Sequence, residues 1–143
     1  MLAMHTSALN QEWITLQNNY EQYERHALWI KLISIVLCAV GLTFTLHEVL
    51  TAGVILTLWA QEGIFRTYQS RLGARIVRVE GLLKQGESAD GIACQLHSEW
   101  IASRTNTVGL LCEYAGNMMR PTVVFPYALL VLVNMAFFFT SLR

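Results

Sequence analysis

Charge is scarce in this chain. Only 14% of its 143 residues are Asp, Glu, Lys or Arg, against roughly 25% in soluble domains, while 54% are apolar. That balance argues against a wholly water-facing surface and points to lipid. Lys and Arg number 10 and Asp and Glu number 10, so the chain as a whole has no polyanion-binding signature, and any electrostatic role must come from uneven placement. Three cysteines cannot all pair, and Cys38 lies within an apolar run. A disulfide framework is therefore not expected, and free thiols are. The opening residues MLAMHTSALNQEW have no basic cluster followed by an apolar core and a small-residue cleavage site, so no removable signal is expected there. No glycine-rich phosphate loop occurs; Gly86 and Gly91 flank an acidic stretch that would repel phosphate, which speaks against nucleotide hydrolysis. No proline interrupts LWAQEGIFRTYQSRLGARIVRVE, residues 58–80, which begins as membrane-like sequence and ends as an arginine-studded, water-facing helix.

What is present is a set of apolar runs. A bilayer core of about 30 Å needs roughly 20 helical residues, and residues 27–46 and 121–142 supply that plainly. A third run, residues 49–60, would rise only about 18 Å in a helix. It crosses only by continuing through Gln61, Glu62 and Ile64 to Phe65, so that crossing is placed at residues 49–65. The first two crossings then form a hairpin turning between residues 46 and 47, with His47 and Glu48 on the far side. Such a turn sets residues whose numbers sum to about 93 at one depth, which puts Lys31 level with Glu62. Either charge alone in lipid costs ~2.5 to 3.5 kcal/mol, so the two are expected to neutralise each other or to share one interface. Between Arg66 and Arg120 lie Arg66, Arg71, Arg75, Arg78, Lys84, Arg104 and Arg120, whereas the turn at 47–48 has no Lys or Arg and Arg143 is alone at the other end. By the positive-inside rule the N-terminus and the segment 66–120 are cytoplasmic and the C-terminus is outside, as in a multi-pass protein of a bacterial inner membrane.

Helical periodicity continues below the crossings. Phe65, Tyr68, Leu72, Ile76, Val79 and Leu83 recur at spacings of three and four and extend the second helix to Leu83 or Lys84. Residues 85–91 read as a loop by composition. Leu9, Trp13, Leu16, Tyr20 and Tyr23 mark an N-terminal helix over 8–26 that leads unbroken into the first crossing, with Glu21 near Arg71 and Glu24 near Arg66 by the depth rule. A third cytoplasmic helix is expected over 92–118, weakened or broken where Thr105-Asn106-Thr107 and Gly109 occur. Pro121 suits the first turn of the last crossing; Pro126 removes a hydrogen bond and should bend it, and Asn134 sits near its middle. The expected class is all-α: one integral membrane domain with three transmembrane helices and cytoplasmic helical extensions.

Chemistry-bearing constellations are few. Cys94 and His97, with Cys112 further on, fall short of the four ligands of a structural zinc site, and the plainer reading is a buried thiol and a surface histidine. His47-Glu48 lacks the second histidine of a zinc-protease helix and reads as a turn. No metal, cofactor or catalytic residue is expected, and no enzyme. The membrane-depth polar residues Lys31, Gln61, Glu62 and Asn134 are either structural glue between helices or, facing a water-filled axis between subunits, an ion path. Arg66, Arg71, Arg75 and Arg78 are a solvated face or meet lipid headgroups, anionic ones included, or partner carboxylates; nucleic acid is not expected. Trp13, Tyr20, Tyr68, Leu72, Ile76 and Trp100 are assigned to helix and subunit packing, because the apolar stripes exceed what two helices bury against each other.

Phe65-Arg66-Thr67-Tyr68 leading to Arg75-Ile76-Val77 and Glu80, after a short helix and a membrane hairpin, resembles small bacterial membrane proteins of the SLATT type. With Glu99-Trp100 it also resembles the RipA-like octameric membrane proteins, over about residues 20–101; the crossing at 121–142 lies outside that pattern. The resemblance implies a homo-oligomer whose cytoplasmic helices form a collar below a membrane ring, with stress-related or pore-forming roles. The expected function is a homo-oligomeric, non-enzymatic inner-membrane scaffold or regulator, partnered by itself and by lipid. The alternatives are an oligomeric channel or pore-forming effector, and an immunity or exclusion protein that binds another membrane protein.

Overall fold

The computed structural model describes residues 2–44, 47–85, 92–103 and 106–141. The expected turn at Leu46, the loop residues 86–91, Arg104, Thr105, and the chain end at Leu142 and Arg143 lie outside the described residues. Among the described residues every regular element is a helix: α1 (Leu2–Thr43), α2 (Glu48–Gln85), α3 (Leu96–Ser103), α4 (Thr107–Met118) and α5 (Pro121–Ser141). Three of them, α1, α2 and α5, are long and apolar enough to cross a membrane.

Local chemistry explains where each helix starts. The His47 carbonyl accepts the Leu50 and Thr51 amides at 2.9 and 3.1 Å, and Glu48 sits in the first turn of α2, where a carboxylate complements the helix dipole. The segment expected as one helix over 92–118 is two. Residues 92–94 form a turn, and Asn106 caps α4, its side chain accepting the Gly109 amide at 2.9 Å. The residues that weaken a helix interior thus begin a new one. Arg120 opens α5 by accepting the Val123 and Val124 amides at 2.8 and 2.9 Å, with Pro121 in the first turn, where no amide is needed.

α1 and α2 pack against each other as the long arms of a hairpin, and α4 and α5 lie end to end along α2. Two apolar cores result. One gathers Leu9, Leu16, Leu72, Ile76 and Val79, with Trp13 and Tyr20 packed on it. The other gathers Cys38, Ile55, Val123 and Tyr127 among the candidate spans. Between them runs a belt of buried polar side chains, Glu62, Thr67, Gln69 and Asn117.

Glycine permits two close approaches. A Cβ on Gly41 would lie 2.8 Å from Thr51 Oγ1, where α1 meets α2, and one on Gly63 would collide with Cγ of Met118, where the end of α4 meets α2.

Candidate functional site: a buried carboxylate between three helices

Glu62 projects from α2 into the polar belt and is 0% exposed. Lys31 of α1 brings its Nζ to 3.1 Å from Glu62 Oε1, the partner that the depth rule assigns. Tyr127 of α5 donates its hydroxyl to Glu62 Oε2 at 2.9 Å, and its ring stacks on Trp59 at 6.4 Å. Arg66, one turn further along α2, has its Nε 3.6 Å from Glu62 Oε1. Glu62 Oε1 and Arg66 Nε are buried without a hydrogen bond among the described residues. Lys31 and Arg66 therefore hold Oε1 by charge rather than by directed hydrogen bonds.

Lys31 has a second partner that depends on proline. Its ammonium donates to the Thr122 carbonyl at 3.1 Å, the carbonyl four residues before Pro126, which has no N–H to offer it. The sequence reading makes Pro126 a bend. In the structure the carbonyl it frees joins α5 to α1.

Around this centre the belt is closed by short polar contacts. Arg66 donates to Gln69 Oε1 at 2.6 Å and reaches Glu24 Oε1 at 3.4 Å. Asn117 of α4 donates to Thr67 Oγ1 at 2.9 Å, Thr67 donates to the Gly63 carbonyl at 3.0 Å, and Trp59 Nε1 donates to the Met118 carbonyl at 3.1 Å. Each of the three candidate spans and α4 contributes a side chain or a carbonyl.

A second charged centre lies toward the other end of α2. Arg75, 3% exposed, donates Nε to Glu12 Oε1 at 2.8 Å, one terminal nitrogen to both Glu12 Oε2 at 3.2 Å and the Ile92 carbonyl at 2.8 Å, and the other to Glu99 Oε1 at 2.7 Å. Burial works against the guanidinium charge, but the hydrogen bonds and fields of Glu12 and Glu99 outweigh it and hold the pKa above the ordinary arginine value. Glu12 also accepts the Cys94 amide at 2.8 Å, from a backbone with φ 61, a left-handed geometry that is costly for a side-chain-bearing residue.

The remaining sequence-derived residues fall into place around these centres. Gln61 is exposed, and Asn134 is buried at 3% exposure with no side-chain hydrogen bond among the described residues. The arginine stripe is only partly closed. Arg75 is enclosed by carboxylates of its own chain, where no headgroup reaches it, while Arg78 meets Glu99 at 3.2 Å and still stays 60% exposed. Glu24 does face Arg66, but Glu21 does not take Arg71. Glu113 of α4 does, at 2.9 Å, and the guanidinium lies over the rings of Tyr68 and Trp100 at 5.4 and 5.0 Å. The residues assigned to packing are largely used within the chain: Leu72 and Ile76 in the first core, Trp13 and Tyr20 against it, Trp100 beneath Arg71, while Tyr68 stays 41% exposed. Third-helix packing absorbs apolar area that two helices alone could not cover.

Sequence reasoning missed Tyr127, Thr122, Glu12, Glu99, Glu113 and Asn117 as partners. For Arg75 the depth rule points to Asn18, and the long side chain instead reaches back to Glu12. The contacts from α4 and α5 had no depth rule at all, because the path from α2 back to them was not fixed by a short turn.

No three His, Cys, Asp or Glu side chains gather as metal ligands among the described residues. The three cysteines are free, and Cys94 and Cys112 are exposed where the sequence reading buries a thiol. Glu62 is buried and held by Lys31 of α1, Arg66 of its own helix and Tyr127 of α5, so the arrangement binds α1, α2 and α5 to one another. Comparison with known protein families, with curated proteins and with solved structures finds no match.

Proposed function

We propose that the chain is a three-crossing integral membrane protein that works as a non-enzymatic, self-assembling scaffold or regulator. The observation that carries this reading is α2, 38 residues without a break and clamped to the rest of the chain at two levels. At one level Glu62 is held by Lys31 and Tyr127; at the other Arg75 is held by Glu12 and Glu99. A helix so fastened transmits position from bilayer to cytoplasm as one body of about 57 Å. The uneven placement of Lys and Arg supports a cytoplasmic N-terminus and an outside C-terminus in a bacterial inner membrane.

The channel reading draws on the same depth-polar residues. Lys31, Glu62 and Asn134 turn into the chain's own bundle, which leaves Gln61 as the exposed one. The geometry therefore favours glue over an ion path. The test is native mass spectrometry of the full chain released from lipid nanodiscs, together with ion flux across liposomes containing it. The scaffold reading expects one multimer of fixed subunit number and silent bilayers. A monomer overturns it, and flux that changes on Glu62→Gln replaces it with the channel.

A further inference from the structure

α4 has one charged residue, Glu113, and that residue is paired with Arg71 of α2. The outward face of α4 is apolar: Val108 and Leu111 on the helix and Met119 at its C-cap stand exposed at 60 to 66%, with the small Ala115 between them. A helix face in water ordinarily carries charge. On α5 the exposed side chains Phe125, Leu129 and Leu132 recur at the same spacings of three and four, the interval of helices that pack side by side at a shallow angle. Both helices are seated on α2, so both faces turn away from it.

Lipid covers only part of this face. Leu111 and Val108 lie ten and thirteen residues before Pro121, where the last candidate span begins, and at ~1.5 Å per residue that is roughly 15 and 20 Å beyond it. There the chain's own neighbours are charged pairs such as Arg71–Glu113, so acyl chains do not reach that level. That half of the face is apolar surface turned toward water.

We propose that a second copy of this chain packs against the exposed face running down α4 and α5, with the two copies pointing the same way. The inference rests on the assembly reading above and names its interface, which lies outside the residues that the family resemblance spans. Copies inserted in one membrane share one direction, and about a two-fold axis along the membrane normal α4 meets α4 and α5 meets α5, so the water-facing and lipid-facing halves of the seam are buried together. Val108, Leu111, Met119, Phe125, Leu129 and Leu132, each 52 to 73% exposed, give the seam the large apolar side chains from which a stable interface of about 800 Å² per partner is built. Ala115 and Gly116 allow close approach.

The experiment uses the full chain in nanodiscs, with Cys94→Ser and Cys112→Ser removing the exposed thiols and Cys38 left buried. A single cysteine is then introduced by Leu111→Cys or Leu132→Cys on the seam, or by Ile14→Cys on the exposed side of α1 as a control. Mild oxidation is expected to link seam positions into covalent dimers and to leave position 14 unlinked. Separately, Val108→Glu with Leu111→Glu should weaken assembly at least ~tenfold while helix content is unchanged, because both side chains are exposed in the single chain. A multimer by mass that links through position 14 and not through the seam overturns this interface and leaves the assembly reading standing. A multimer indifferent to the paired glutamates also overturns it. A monomer by mass overturns both.

Discussion

Glu62 and Arg75 are alike in that neither meets water and each is held by groups from two other helices. Their partners differ in kind, and so do the expected costs of losing them. Tyr127→Phe keeps the ring against Trp59 and removes the donor to Glu62 Oε2, so unfolding in mixed micelles should show a loss of about 1.5 to 3 kcal/mol, the range for a hydrogen bond to a charged group. Arg75→Met leaves Glu12 without its cation in a buried position, while Glu99 keeps Arg78, and should cost about 3 to 5 kcal/mol. Adding Glu12→Gln should then recover part of that loss, since the uncompensated charge is what the single substitution leaves behind; chemical denaturation of the pair of variants reads both. Lys31 adds a lesson in economy. Its Thr122 acceptor exists because Pro126 cannot use it, so a residue read from sequence as a bend also supplies a ligand for an ammonium group.

Among the elements, α2 decides the architecture, and its glycines test how. At Gly63 a methyl group would collide with Met118, so Gly63→Ala should destabilise by about 1 to 3 kcal/mol through overpacking against α4. At Gly53 nothing lies within 4 Å, and Gly53→Ala should leave stability unchanged or raise it by about 0.5 to 1 kcal/mol through helix propensity. Equal effects in a thermal unfolding series would contradict the close approach of α4. The long helices were legible in the sequence because periodicity and apolar run length speak directly to α1, α2 and α5. The Lys31–Glu62 and Glu24–Arg66 pairings were legible because a short turn fixes the register of a hairpin. What followed residue 85 was not. The composition marks a break near Asn106, but nothing local tells which side of α2 the returning chain takes. Arg71–Glu113, Arg75–Glu99 and Asn117–Thr67 depend on that choice.

For the molecule as a whole, two apolar cores joined by a polar belt imply a division of surroundings, with lipid around one core and water around the other in the proposed setting. The belt lies where α2 would leave the bilayer, and its charges are answered inside the chain. Those charges therefore fix how the helices register, while the proposed assembly is left to apolar faces such as the α4–α5 seam. On this account a span whose apolar run is too short to cross unaided crosses because Lys31 neutralises Glu62 at a shared depth. A double-mutant cycle tests that claim most directly: Glu62→Gln, Lys31→Gln and the combined variant, unfolded reversibly in the same lipid–detergent mixture. The account predicts that each single change destabilises and that the second costs little once the first is made, with a coupling energy in the range of about 0.5 to 3 kcal/mol. Losses that simply add would contradict it.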